Sequence, residues 1–152
     1  MPELSELEYA LTLANNAFQR WMVRCSAAAG VESLSGLEVQ LLHSTNHRGR
    51  ERTISDLCTM LNIEDTHVVA YAVKKLERLG LVMSGRRGKE KTVAVSEEGR
   101  EACERYRDVR ERLLLDSVAT LDLDPVHVSR LAALLRTMSG QYDQAGRGAA
   151  SL

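Results

Sequence analysis

Residues 57–95 read LCTMLNIEDTHVVAYAVKKLERLGLVMSGRRGKEKTVAV, and the reading of the whole chain turns on them. The stretch opens inside SDLCTMLN, a short helix with Leu57 and Leu61 inward, which Thr53 or Ser55 can cap after an extended Thr53–Ile54. Asp65 is placed to cap a second helix. Val69, Ala72, Val73, Leu76 and Leu79 give that helix a buried stripe at spacings of three and four. Its opposite face carries Thr66, His67, Ala70, Tyr71, Lys74, Lys75 and Arg78. Gly80 stops it. Two strand-like runs, LVM and TVAV, follow on either side of the basic turn SGRRGKEK. That turn concentrates Arg86, Arg87, Lys89 and Lys91.

On the N-terminal side, Leu4, Leu7, Leu11, Ala14, Phe18, Trp21 and Cys25 alternate at three and four residues, which predicts one long helix over about 5–28, ended by Gly30. Its seam packs within the chain or against a second copy. Ser35 and Glu38 have the spacing of a capping box. They open a helix with Leu37, Leu41 and Leu42 on its apolar face, closing near Asn46. On the C-terminal side, Ser96 caps a long helix over about 97–121. Asp124-Pro125 restarts a last one, striped by Val128, Leu131, Leu135, Met138 and Tyr142. The expected fold is mainly α with a small β-hairpin wing. A single domain spans 1–143, with a lobe over about 34–95, and residues 144–152 form a flexible tail.

Composition supports this. Of 152 residues 44% are hydrophobic but only 4% aromatic, so Leu, Val and Ala fill the core and helices are favoured over a β-sandwich. The net charge of −1 conceals a division along the chain. Residues 1–46 carry −3, residues 47–91 carry +4, and residues 92–152 carry −2. Half of all Lys and Arg fall in the middle segment, as a polyanion-facing module requires. Cys25, Cys58 and Cys103 are odd in number and form no CxxC, which suits a reducing compartment. No signal peptide and no apolar run near the ~18 residues that span a bilayer is visible. The expectation is a soluble cytoplasmic protein with no membrane partner.

A short helix, a turn, a second helix with an exposed polar face and then a charged hairpin make a winged helix-turn-helix. The major groove admits one helix, and the hairpin reaches the flanking backbone. At this point the run LCTMLNIEDTHVVAYAVKKLERLGLV, the hairpin and VSEEGRE resemble the MarR family of transcription regulators. The most specific elements are Leu76–Val82 and Val95–Gly99. The resemblance covers nearly the whole chain and implies a homodimer on a pseudo-palindromic operator of double-stranded DNA, open to control by a small-molecule effector. It implies long dimerisation helices over about 4–29 and 97–143, with Leu4, Leu7, Leu11, Phe18, Leu131, Leu135, Met138 and Tyr142 at the interface. DNA contacts are expected from Thr66, His67, Ala70, Tyr71, Lys74, Lys75, Arg86, Arg87, Lys89 and Lys91. Two departures stand out. The family's wing Asp-x-Arg falls on Arg87 and Lys89, and the hairpin is about three residues shorter, which shifts the wing from minor-groove insertion toward phosphate contact.

The remaining chemistry-bearing residues are read structurally. Arg48, Arg50 and Arg52 lie in a connection that touches phosphate or merely decorates the surface. Cys58 is placed for burial, and Cys25 or Cys103 would sense oxidants only in a thiolate-stabilising setting. His43 and His47 can share a helix face, but no Glu lies between them as in a metalloprotease motif, so no metal site or cofactor is expected. Nothing arranges a catalytic constellation, so the chain is read as a non-enzyme. The rival readings are a winged helix that binds protein rather than DNA, and a redox- or metal-responsive regulator.

Overall fold

The heptad stripe at the N-terminus does form one helix, α1 (Pro2–Ala28). It begins ahead of the predicted Ser5, because a proline in the first turn lacks only an N–H that would have no partner there. The computed structural model describes residues 1–152, which divide into two compact units, Met1–Arg110 and Glu111–Leu152.

In the first unit only the C-terminal third of α1 enters the core, through Met22 and Cys25. Helix α2 (Gly36–Asn46) starts with the predicted capping box. The Glu38 N–H donates to Ser35 Oγ at 3.2 Å and the Ser35 N–H donates to Glu38 Oε2 at 2.7 Å. Val39, Leu41 and Leu42 are buried. A 3-10 turn, His47–Gly49, leads to the two-residue strand β1 (Arg52–Thr53) and to α3 (Ile54–Leu61). Thr53 is the cap of α3, through a second reciprocal box with Asp56, so Ile54 is already helical rather than extended.

Helix α4 (Thr66–Arg78) buries Val69, Ala72, Val73 and Leu76. Leu79, expected in that stripe, is instead 43% exposed. The helix has ended at Arg78, and the chain turns so that Leu81 and Val82 fill the core in its place. Strands β2 (Val82–Arg87) and β3 (Glu90–Val95) pair antiparallel, and β1 adds to the far edge of β3. Helix α5 (Glu97–Arg110) is capped by Ser96, whose hydroxyl accepts from the Gly99 N–H at 3.0 Å and donates to the Gly80 carbonyl at 2.5 Å. That cap fastens the hairpin exit to the end of α4.

The second unit starts where the predicted 97–121 helix loses regular geometry. A π-helical stretch, Glu111–Leu115, precedes the short α6 (Asp116–Ala119). Asp124 then caps α7 (Pro125–Ala149), accepting from the His127 N–H at 2.8 Å. The helix runs through residues 144–149, where the sequence predicts a loose tail. No proline interrupts it, and the Ala150 N–H still reaches the Gly146 carbonyl at 3.1 Å. No side chain of this unit is buried. No helix of the chain is long and apolar enough to cross a membrane.

Candidate nucleic-acid interface

The interface is built on α4 and the hairpin. The Asp65 carboxylate accepts from the His67 N–H at 2.9 Å, satisfying one of the orphan donors at the helix start. With Val69, Val73 and Leu76 fully buried, helical periodicity turns His67, Tyr71, Lys74 and Arg78 directly outward. Tyr71 is 78% exposed; Thr66, His67, Lys74 and Arg78 are exposed, and Ala70 is half-buried. Val68, outside the expected DNA contacts but among the exposed positions of this helix, is 44% exposed on the flank of this face. Its place follows from the same period that buries Val69, so the signal was available.

Lys75 departs from the expected role. Its ammonium donates to the Ser33 carbonyl at 2.5 Å and to Glu38 Oε2 at 2.9 Å. It therefore locks α4 to the start of α2, with its charge directed away from the outward face. Burial alone would push the Glu38 carboxyl up, but the Lys75 ammonium and the Ser35 N–H outweigh it and hold it below the usual carboxylate range. Lys91 is likewise engaged, paired with Glu77 at 2.7 Å. Glu77 also accepts from the Ser84 hydroxyl, so one α4 carboxylate anchors both strands of the hairpin.

The hairpin closes in a two-residue turn, since Arg87 faces Glu90 across the strands. Gly88 at φ 63° supplies the left-handed backbone that so tight a turn demands. Arg86 and Arg87 consequently lie within β2, and only Lys89 occupies the tip itself. Arg86 faces Lys91, a like-charge pair, and like charges directly opposite each other destabilise a sheet. Arg86, Arg87 and Lys89 form no ion pair, although the Arg87 charge, after the Thr53 N–H, helps hold the Asp56 carboxyl low. Arg48 and Arg50 are exposed around the 3-10 turn, and Arg52 Nη2 donates to the His47 carbonyl at 3.0 Å.

Of the other candidate groups, the cysteines lie in the interior of the first unit. Cys25, Cys58 and Cys103 are all buried. Burial raises the Cys25 thiol against weaker opposing effects of Tyr106 and Arg110, and pushes Cys103 up to about 11. Neither is held as a thiolate. His43 packs edge-on against the Tyr106 ring, centroids 4.5 Å apart, while His47 sits exposed in the 3-10 turn. A cleft of about 340 Å³ opens between α1 and the start of α2, lined by Gln19, Arg20, Val23, Arg24, Ser35 and Gly36. Met22 is core, Trp21 packs against the core and Phe18 is exposed.

Residues 34–99 match the family described as winged helix DNA-binding domain. No curated protein sequence matches the chain. Among solved structures, the transcriptional regulator BldR from Sulfolobus solfataricus superposes with a TM-score of 0.69 at 20% identity, over 91% of this chain and 95% of that one. A MarR transcriptional regulator from Methanosarcina mazei Go1 gives 0.70 at 16%, over 91% and 90%. CouR from Rhodococcus jostii RHA1, bound to p-coumaroyl-CoA, gives 0.67 at 15%, over 87% and 90%. The short helix, outward-facing second helix and charged hairpin therefore constitute a winged helix domain, and the chain as a whole has the fold of the MarR-family transcriptional regulators.

Proposed function

We propose that this protein regulates transcription by binding a pseudo-palindromic DNA operator as a homodimer, and that it is not an enzyme. The carrying observation is the face shared by α4 and the wing. Lys74 and Arg78 on α4, and Arg86, Arg87 and Lys89 on the wing, stand outside every ion pair, in a chain of net charge −1. Helix α4 enters the major groove by its N-terminal half and the wing lies on the flanking phosphates. The short turn favours phosphate contact over insertion.

Dimerisation is supported by apolar surface that a monomer leaves wet. Leu4 and Phe18 on α1, and Leu131, Leu135 and Tyr142 on α7, are exposed, with Leu7, Leu11 and Met138 half-buried. A helical unit without one buried side chain has no core of its own and requires a partner surface. A second copy would also set two recognition helices about 34–36 Å apart, one turn of DNA. Control by a small molecule belongs to the same proposal. CouR is bound to p-coumaroyl-CoA, and the cleft lined by Arg20 and Arg24 offers this chain an opening for a ligand.

The test is binding to duplex DNA from upstream of the protein's own gene over a salt series, beside an Arg86→Ala/Arg87→Ala variant. Each neutralised phosphate contributes about −0.9 to the slope of log K against log salt. The variant should therefore bind more weakly and with a slope shallower by about 0.9 for each of the two arginines that contacts a phosphate. Absence of binding to operator-like and random duplex at low salt would instead favour a protein partner for this face.

A further inference from the structure

We infer that each half-site read by α4 is centred on thymines, recognised through their C5 methyl groups. The inference rests on α4 binding duplex DNA, as proposed above, and goes further by naming the base.

The argument is one of elimination along the helix. Residues in the N-terminal half of a recognition helix reach base edges, and here those are Thr66, His67, Val68, Ala70 and Tyr71. Guanine is read by Arg or Lys, adenine by Asn or Gln, and cytosine by Asp or Glu. None of these six residue types occurs between Thr66 and Tyr71. The nearest carboxylate, Asp65, is occupied in capping the helix. Further along, Lys75 is held by Ser33 and Glu38, and Glu77 by Ser84 and Lys91. Lys74 and Arg78 lie about one and two turns beyond Tyr71, past the N-terminal half of the helix, and are assigned to the backbone.

What remains in the N-terminal half of α4, beside His67, is methyl and ring. Thr66, Val68 and Ala70 present methyl groups, and Tyr71 presents an aromatic face that is 78% exposed. Apolar contact with Ala, the Thr methyl or an aromatic ring is how the thymine methyl is recognised in the major groove. His67, with one donor and one acceptor when neutral, can add a single hydrogen bond to thymine O4 or purine N7 but no bidentate pair. Wet apolar surface at this position gains free energy only by meeting an apolar group, and thymine is the one base that offers it there.

The experiment selects full-length protein on a duplex library with a randomised centre. The enriched duplex is then synthesised twice, with thymine and with uracil, which lacks only the methyl. Thymine-containing half-sites should be enriched, and each contacted methyl removed should weaken binding about fourfold while leaving the salt slope unchanged. A Tyr71→Arg variant, altered at a surface position, should shift the selected base toward guanine. Equal affinity for the thymine and uracil duplexes would overturn the inference while leaving DNA binding intact. So would an unchanged base preference in Tyr71→Arg. Failure to bind any library duplex at low salt would overturn the DNA reading and the inference together.

Discussion

Replacing Gly99 by alanine should be among the most damaging single-methyl changes in this chain. Gly99 is buried in the first turn of α5. A Cβ there would lie far inside contact distance of the Leu81 carbonyl oxygen and 2.9 Å from Val95 Cγ2. The Leu81 oxygen is backbone, and it accepts from the Ser96 N–H at 3.1 Å, so it cannot yield without breaking the joint between hairpin and helix. Overpacking of this kind costs about 1–3 kcal/mol, and the strained hydrogen bond about 1 more. The helical preference for Ala returns at most about 1 kcal/mol. A net loss of about 1–3 kcal/mol follows. Gly36→Ala is the control. Its Cβ would penetrate as deeply, but into Oε1 at the end of the Gln19 side chain, with Met22 Cε at 3.2 Å. Those groups can rotate aside, so the change should stay within about 1 kcal/mol. Urea unfolding followed by circular dichroism, at one fixed protein concentration, measures both. Equal midpoints for Gly99→Ala and the parent would refute the reasoning, as would a larger loss for Gly36→Ala.

Lys75→Met should cost about 1 kcal/mol at neutral pH, because it leaves the nearly buried Glu38 carboxylate without its ammonium. The folded-state carboxyl of Glu38 is depressed, so the stability it carries is present above its unfolded value and disappears as pH falls through the folded one. The gap between variant and parent should accordingly close in acid, measured by urea midpoints across the carboxylate range. Leu131→Glu/Leu135→Glu should raise the dissociation constant of the proposed dimer at least about tenfold by sedimentation equilibrium, since each leucine that the dimer would bury contributes about 1.5–3 kcal/mol. Finally, a thiol reagent at neutral pH should modify none of the three buried cysteines before unfolding exposes them, and burst-phase labelling of Cys25 or Cys103 would restore the redox reading.

The parts that could be read in the sequence are those decided within a few residues. Ser35 with Glu38, Asp65 before His67 and Asp124 before His127 are local pairings, and each became the hydrogen bond that its spacing implies. The period that buries Val69, Ala72, Val73 and Leu76 is equally local. The engagement of Lys75 is not legible in the sequence, because its partners, Ser33 and Glu38, are brought to it only by the packing of α2 on α4. Helical spacing places a lysine on a face; it does not say which distant carboxylate waits there. Leu79 failed for a related reason. Its position fits the stripe, but the helix ended one residue earlier and Leu81 filled the space.

The hairpin shows why register matters more than composition for the charged residues. A tip carrying four cations would be a flexible cluster, free to contact any anion. The two-residue turn instead draws Arg86 and Arg87 into β2, where alternation sends neighbouring side chains to opposite faces. Arg87 has Glu90 across from it, whereas Arg86 has Lys91. Lys91 is neutralised from α4 by Glu77, so the repulsion it would add is reduced and Arg86 is left as the uncompensated charge on the face that also bears Ser84. An unbalanced cation beside a paired one costs the sheet stability, and a phosphate is a group that would relieve it. Arg86→Ala by itself should therefore account for most of the affinity lost in the Arg86→Ala/Arg87→Ala variant, while leaving the unfolding midpoint equal or raised. If Arg87→Ala carries the larger loss, the like-charge pairing has been given the wrong meaning.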